Sequence, residues 1–134
     1  MQRRTMRVNE AASGRRLLVI DDDAEILMTF ELVLAAEGFA VETARDGAAA
    51  MSSIAASAPD LVILDISMPV KDGLETIKDL RKRIPGVKIL AISGGGMYGM
   101  TDVIGIAKRI GADDVRVKPL DTEGLVTAVR GLIG

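Results

Sequence analysis

Five short segments rich in β-branched and aliphatic residues alternate with five longer helical patterns from residue 16 onward. These short segments predict β-strands, because branched side chains favour an extended backbone. The third and fourth are apolar almost throughout, as expected of parallel strands that are covered on both faces. The second and fifth are more polar, as edge strands would be. The predicted strands are residues 16–20, 39–44, 60–66, 87–93 and 114–118.

The segments between and after the strands have apolar residues at helical spacing. Gly38 and Gly111 are suited to end the first and fourth helices, because glycine tolerates a left-handed backbone. Asp121 is a suitable N-cap for the last helix. The predicted helices are residues 24–37, 47–57, 73–83, 98–110 and 121–133.

Five strand–helix units in series predict an α/β fold with a doubly wound parallel sheet. The sequence has 134 residues, which suit a single domain over residues 16–134, and it shows no internal repeat or linker. Ligands of such sheets bind beyond the carboxyl ends of the strands. The residues that directly follow each strand are therefore the candidates for function.

The composition excludes several kinds of chemistry. The chain has no cysteine and no histidine, which removes disulfides, thiolate or imidazole metal ligands, and a Ser-His-Asp triad. No apolar run reaches the length of a membrane span, and no signal peptide is apparent. We therefore expect a cytoplasmic protein that does not contact membranes.

Residues 1–15 form a basic segment ahead of the first predicted strand. Residues 1–16 contain five arginines and one glutamate, whereas the rest of the chain, with 12 basic and 18 acidic residues, has a net charge of −6. Nucleic-acid binding by this segment is one interpretation. We prefer a flexible basic leader, or an upstream start before Met6, and expect no direct binding of nucleic acid.

Polar residues suited to phosphoryl transfer lie at, or directly after, the carboxyl ends of four of the five predicted strands. Carboxylates are hard ligands suited to Mg²⁺, and a carboxylate can also act as a nucleophile that forms an acyl phosphate. A lysine, a hydroxyl and the amides of a glycine-rich loop would supply positive charge and hydrogen bonds to phosphoryl oxygens. The residues are Asp21, Asp22, Asp23, Asp65, Ser93, Gly94, Gly95, Gly96 and Lys118.

Each of these residues also has a structural interpretation. We favour Asp23 as only the N-cap of the first helix. Asp65 would be suited to a turn, the glycines to a flexible connection, and Lys118 to a solvated position. The basic run Lys78, Arg81, Lys82 and Arg83 is interpreted as a solvated helix end. The shared position at strand ends, rather than any single residue, favours the functional interpretation.

The motifs "VIDDD", "LDISMPVKDG", "AIS" and "VKP" together resemble the receiver domain of bacterial two-component response regulators. The resemblance covers roughly residues 16–133. It implies a flavodoxin-like five-stranded parallel sheet of strand order 2-1-3-4-5. It also implies phosphorylation of one aspartate by a sensor histidine kinase or a histidine phosphotransfer protein.

The resemblance assigns roles to individual residues. Asp65 matches the phosphoacceptor, and Asp21 and Asp22 match the acidic pair that holds Mg²⁺. Within that pair Asp22 is expected to be the direct ligand and Asp21 to act through water. The backbone carbonyl of Ser67 would be a further ligand of the metal.

Two further residues match parts of the family's switch. Ser93 matches the switch hydroxyl, and Lys118 matches the lysine that contacts the phosphoryl group. By analogy the Lys118–Pro119 peptide bond is expected to be cis, although the cis form is the minority choice from sequence alone.

The sequence departs from the family's pattern at two points. The family often has a Tyr or Phe in the fifth strand, where this chain has Val115, so switching by rotation of that ring is not available. The loop "SGGGMYGM" is unusually rich in glycine, and we predict that phosphorylation orders this loop and moves Tyr98 with it. We expect no output domain after Gly134, so that the chain would resemble the stand-alone receivers of the chemotaxis-regulator kind. A weak homodimer through the fourth and fifth helical units is a further expectation, and the downstream partner is not identified.

The sequence allows two alternatives to a phosphorylated receiver. A small phosphatase resembling the haloacid dehalogenase superfamily would use Asp21 and Asp23 as nucleophile and acid, with Asp113 and Asp114 as a late acidic pair. That interpretation leaves Asp65 and Lys118 without roles. A receiver-like binding module that works without phosphorylation is the second alternative, although the intact set of site residues argues against it. A receiver is a signalling domain rather than an enzyme, with at most slow self-dephosphorylation.

Overall fold

The computed structural model describes residues 14–67, 70–94 and 100–134. Five strands alternate with five helices, as the sequence predicts. The strands are β1 (Arg16–Ile20), β2 (Ala40–Ala44), β3 (Leu61–Asp65), β4 (Lys88–Ser93) and β5 (Asp114–Val117). The helices are α1 (Ala24–Ala36), α2 (Gly47–Ala56), α3 (Val70–Arg83), α4 (Met100–Ile110) and α5 (Thr122–Ile133).

The strands form one parallel sheet in the order β2-β1-β3-β4-β5. This is the predicted flavodoxin-like order, with β2 and β5 at the edges. The central strand β3 is buried along its whole length, because helices cover both faces of the sheet. Alternating side chains of each strand therefore enter two separate cores.

The two cores lie on opposite faces of the sheet. On one face, Leu18 and Leu64 pack with residues of α2, α3 and α4, among them Ile54, Ile77 and Ala107. On the other face, strand residues of opposite parity pack with α1 and α5. That second core includes Leu17, Val19, Ile63, Leu34, Leu125 and Val129. This arrangement leaves the carboxyl ends of β1, β3, β4 and β5 at one edge, where the candidate residues follow.

Aspartates cap three of the helices. The Asp23 carboxylate accepts a hydrogen bond from the amide of Glu25, which confirms Asp23 as the N-cap of α1. Asp121 caps α5 as predicted, and Asp46 caps α2, which the sequence analysis had not identified. Gly38 and Gly111 have φ values of 99° and 137°, the left-handed conformation expected of glycines that end helices.

The predicted element boundaries are correct to within one residue at most ends. The exception is α3, which begins at Val70 rather than at residue 73. The predicted range started at Gly73, and glycine is unfavourable inside a helix. In the structure α3 continues through Gly73, where a side chain would clash, since a Cβ atom there would lie 2.9 Å from the Cα of Ile66. The predicted start of the fourth helix, residues 98–99, lies outside the described residues.

The interpretation of Arg81 as part of a solvated helix end is wrong. Its side chain crosses Gly111 and donates to three backbone carbonyls, those of Pro85, Val87 and Gly111. It also donates to Asp113 Oδ2 at 2.6 Å. Arg81 therefore joins α3 to the turns that precede β4 and β5, whereas Lys82 and Arg83 are exposed.

None of the helices in the described part of the chain is long and apolar enough to cross a membrane.

Candidate functional site

Strand register brings the candidate side chains to one edge of the sheet. Ile20 pairs with Leu64, so Asp21 and Asp65 leave β1 and β3 at the same level. Asp65 in turn pairs with Ile92, directly before Ser93. The Lys118 amide donates to the Ser93 carbonyl at 2.8 Å, which fixes Lys118 beside the end of β4. Four strands thus deliver one functional residue each to the same place.

Asp65 is buried at the centre of this edge and is held through both of its carboxylate oxygens. Only 5% of the residue is exposed. Its Oδ2 lies 2.9 Å from the Lys118 ammonium nitrogen. Its Oδ1 accepts hydrogen bonds from both the amide and the hydroxyl of Ser67. These contacts orient the carboxylate and leave Oδ2 on the lysine side.

The Ser67 hydroxyl is a contact that the sequence analysis missed, since only the Ser67 carbonyl was assigned a role. Its position depends on Gly94, the residue after β4. A Cβ atom at Gly94 would lie 2.7 Å from the Cβ of Ser67. No local pattern in the sequence shows that these two residues, from different loops, approach so closely.

Three carboxylates lie close enough together to share a cation. One oxygen each from Asp21, Asp22 and Asp65 all lie within 4.8 Å of one another. Asp21 and Asp65 are buried, whereas Asp22 is exposed. Lys118 also lies 3.9 Å from Asp21 Oδ2, so its ammonium contacts two of these three carboxylates. The excess of hard, negatively charged oxygen ligands fits a divalent cation such as Mg²⁺.

The two buried carboxylates differ in how readily they ionise. Burial raises the pKa of Asp21 to about 7, with the nearby Asp65 charge adding to the effect. Burial alone would also raise the pKa of Asp65. The hydrogen bonds from Ser67 and Lys118 outweigh burial there and hold the pKa of Asp65 below its usual value. Asp65 is therefore ionised at neutral pH, and the ionisation of Asp21 is costly unless a cation is near.

We expect the metal-free protein to lose stability as the pH rises from about 5 to 8. Asp21 has a raised pKa in the folded state, so its stabilising contribution is complete below pH 3.8 and is lost as the pH rises through about 7. The chain has no histidine that would titrate in this window. The lowered pKa of Asp65 affects the free energy of unfolding only at lower pH, where that carboxylate becomes protonated. The expected loss is on the order of 2 kcal/mol.

Urea unfolding of the wild type and of Asp21→Asn, both without divalent cations, measures this effect. The wild-type free energy of unfolding should fall between pH 5 and 8, whereas that of Asp21→Asn should stay level. Parallel profiles for the two proteins would show that Asp21 does not titrate in this range.

The structure also describes Ser93, the Lys118–Pro119 peptide bond and Val115, to which the sequence analysis gave roles. Ser93 is buried at the end of β4, and the Lys118–Pro119 peptide bond is cis, as the resemblance implied. Val115 is half-buried against the core that α2, α3 and α4 cover. Residues 95–99, which include Gly95, Gly96 and Tyr98, lie outside the described residues, so the prediction for the loop stays a prediction.

The structure does not favour the phosphatase alternative. Asp23 is engaged as a helix cap, and its side chain is exposed. Asp113 and Asp114 lie at the start of β5, the opposite end of that strand from Lys118, and pair with Arg81 and Arg116. The late acidic pair is thus at the wrong edge of the sheet to act with Asp21.

Comparison with known proteins agrees with this geometry. Residues 17–130 match the model of the response regulator receiver domain family. The transcriptional regulatory protein PrrA of Mycobacterium tuberculosis is 39% identical over 126 residues, which cover 94% of this chain and 53% of PrrA. The response regulator MprA of Mycolicibacterium vanbaalenii is 36% identical over 118 residues, which cover 88% of this chain and 50% of MprA. The chain thus spans about half the length of these curated relatives.

Solved structures show the same architecture. The receiver domain of NtrX from Brucella abortus superposes with a TM-score of 0.77 at 30% identity, covering 87% of this chain and 97% of that one. A CheY-like receiver domain protein from Methanospirillum hungatei gives a TM-score of 0.79 at 27% identity, covering 87% of this chain and 91% of that one. The family match, the strand order and the grouping of Asp21, Asp22, Asp65 and Lys118 lead to one conclusion. The chain belongs to the receiver domains of two-component response regulators, a family of signalling domains.

Proposed function

We propose that this receiver accepts a phosphoryl group on Asp65, in the cytoplasm, from a sensor histidine kinase or a histidine phosphotransfer protein. The observation that carries the proposal is the environment of Asp65. Its carboxylate is buried, ionised, bonded to Lys118 and adjacent to two further carboxylates. No other carboxylate in the described part of the chain combines these features.

Asp65 is arranged to act as a nucleophile through Oδ2. Two donors from Ser67 hold Oδ1, so the carboxylate plane is fixed while Oδ2 faces Lys118. In the transfer, Oδ2 forms a bond to phosphorus as the phosphorus–nitrogen bond of the donor breaks. The donor imidazole keeps that electron pair and takes up a proton from solvent. The product is an acyl phosphate on Asp65.

Lys118 and Ser93 are positioned to bind the transferred group. The ammonium now paired with Asp65 would move its hydrogen bond to a phosphoryl oxygen, where charge-assisted bonds are strong. Ser93 lies at the end of the neighbouring strand, and its hydroxyl would donate to a second phosphoryl oxygen. These bonds would pull the residues after β4 towards Asp65 and so change the surface that a downstream protein meets.

Asp21, Asp22, Asp65 and the backbone carbonyl of Ser67 would hold Mg²⁺, with Asp22 as a direct ligand and Asp21 acting through water. When bound, the ion would neutralise the negative charge of the site and of the incoming phosphoryl group. The fit rests on the surplus of carboxylates over cations and on the raised pKa of Asp21.

We expect Asp22→Ala to weaken Mg²⁺ binding sharply and to slow phosphorylation, because the remaining carboxylates hold a dication less well. Asp23→Ala is the matched control, one residue away. It removes the α1 cap and should cost about 1 kcal/mol of stability while leaving Mg²⁺ affinity nearly unchanged. Isothermal titration of Mg²⁺ into both variants separates the two roles. Equal losses of affinity would show that the cluster is wrongly assigned.

The proposed function is tested by incubating the full chain with acetyl phosphate and Mg²⁺ and measuring its intact mass. The expected result is one added phosphoryl group per chain, none when EDTA removes the metal, and no continuous release of phosphate from p-nitrophenyl phosphate. Absence of the modification would favour a receiver-like module that works without phosphorylation. Sustained turnover of the phosphomonoester would instead indicate an enzyme.

A further inference from the structure

The outer face of α1 carries the most exposed large apolar side chains in the described part of the chain. Leu32 is 65% exposed and Met28 is 61% exposed. They are four residues apart, so they lie one above the other on the same face of the helix. Ala36, one turn further on, is also exposed and extends this apolar stripe to the end of α1.

The stripe borders a groove between α1 and α5. The groove has a volume of about 410 Å³. Val33, Ala36 and Glu37 of α1 form one wall, and Thr122, Glu123, Val126 and Thr127 of α5 form the other. Stripe and groove together make a continuous surface, which we call the α1–α5 face. It is defined by Met28, Leu32, Val33, Ala36 and Glu37 with residues 122–127.

The α1–α5 face is acidic as well as apolar. Residues 24–37, which form α1 and its C-cap, contain three glutamates and no lysine or arginine. Glu25, Glu31 and Glu123 are exposed on α1 and α5, whereas Glu37 is already paired with Arg130 of α5, which also donates to the Glu37 carbonyl at the end of α1. A ligand suited to this face would therefore combine positive charge with apolar side chains.

The chain itself carries such a ligand. Residues 1–13 contain three arginines and one glutamate, together with the apolar residues Met1, Met6 and Val8. The arginines are Arg3, Arg4 and Arg7. The segment joins the domain near the carboxyl end of α1. The carbonyl of Arg15 accepts a hydrogen bond of 3.0 Å from the amide of Ala40, which lies two residues beyond Gly38, the glycine that ends α1.

The segment is also long enough to reach along the whole face. Thirteen extended residues span up to about 43 Å. The stripe from Ala36 to Met28 is only about 12 Å long, at the rise of an α-helix. A tethered segment of this length also has an effective concentration in the millimolar range, so weak contacts suffice to keep it bound.

We propose that residues 1–13 dock in cis on the α1–α5 face, with the arginines paired to the acidic residues of α1 and α5 and the apolar residues over Met28 and Leu32. The docked segment covers the helix that leads away from Asp21, Asp22 and Asp23. The proposal is independent of phosphorylation at Asp65.

Paramagnetic relaxation in the full chain tests the docking. The chain has no cysteine, so Gln2→Cys provides a single site for a nitroxide label. Amide signals of residues 28–37 and 122–127 should lose at least half of their intensity, whereas signals of α3 should not. Uniform broadening, or broadening centred on the exposed lysines and arginines of α3 and α4, would overturn the proposal.

Variants of the labelled protein test the chemistry of the contact. Replacing Arg3, Arg4 and Arg7 together by Glu should abolish the selective broadening, and Leu32→Ser should reduce it at least twofold. Val117→Ser is the matched control, since Val117 is an exposed apolar residue on β5, outside this face. Persistence of the broadening in the triple variant would contradict the docking, as would its loss in the Val117 control.

A mixing experiment distinguishes docking in cis from a contact between two copies. Protein that carries the nitroxide but no ¹⁵N is mixed with ¹⁵N-enriched protein that carries no nitroxide. Only contacts between two molecules can then broaden the observed signals. No broadening is expected. Broadening of residues 28–37 in this mixture would show that a second copy occupies the face, and would overturn the proposal.

Discussion

Replacing Asp65 by Asn is expected to abolish phosphorylation by acetyl phosphate and by any histidine-linked donor. The amide nitrogen and the neutral amide oxygen are poor nucleophiles, and the substitution also removes one of the three carboxylates that would hold Mg²⁺. Asn keeps the shape of Asp and can still accept hydrogen bonds from Ser67 through its oxygen. The fold should therefore survive, and the loss should be specific to the chemistry.

Asp23→Asn is the matched control for this experiment. Asp23 is two residues beyond Asp21, and Asn is as good an N-cap as Asp. This variant should incorporate one phosphoryl group, like the wild type, in an intact-mass measurement. A phosphorylated Asp65→Asn protein, at a level near that of the wild type, would refute the assignment of Asp65.

Replacing Arg81 by Met is expected to cost about 3–4 kcal/mol of stability, the largest effect that we predict outside the functional edge. Met fills a similar volume along Gly111 but has no donor. Loss of the guanidinium leaves the carbonyls of Gly111 and Val87 without the donor that they have in the wild type. It also leaves Asp113 without its ion-pair partner, and the side chains of that pair are only 24% and 29% exposed.

Lys82→Met is the matched control, because Lys82 follows Arg81 in the same helix and its side chain is exposed. It should change the free energy of unfolding by no more than about 0.5 kcal/mol. Urea unfolding at pH 7 measures both variants. A cost below about 1 kcal/mol for Arg81→Met would show that solvent replaces these hydrogen bonds readily.

Most of the fold was predictable because it depends on patterns that are local in sequence. The apolar runs of β1, β3 and β4 and the capping residues Asp23 and Asp121 each act within a few positions of the chain. The order of the strands was implied by the resemblance to a family and is confirmed. The start of α3 was wrong because Gly73 is kept by its contact with Ile66, a tertiary constraint that outweighs helix propensity.

The parts of the site that were not predictable depend on contacts between distant segments. The Ser67 hydroxyl bonds to Asp65, but the space that it needs is provided by Gly94, which comes 27 residues later. Arg81 was misread for the same reason, since the carbonyl of Gly111 that binds it lies 30 residues along the chain. The raised pKa of Asp21 likewise follows from burial in the assembled sheet, because the sequence shows only three consecutive aspartates.

The central claim, that Asp65 carries the phosphoryl group, is tested most directly by locating the acyl phosphate. Sodium borohydride reduces an aspartyl phosphate to homoserine, which is stable and changes the mass of the peptide that contains it. After treatment with acetyl phosphate, Mg²⁺ and borohydride, tandem mass spectrometry of the digested protein should find homoserine at position 65 and not at positions 21, 22 or 23. Homoserine at any other aspartate, with position 65 unmodified, would contradict the account.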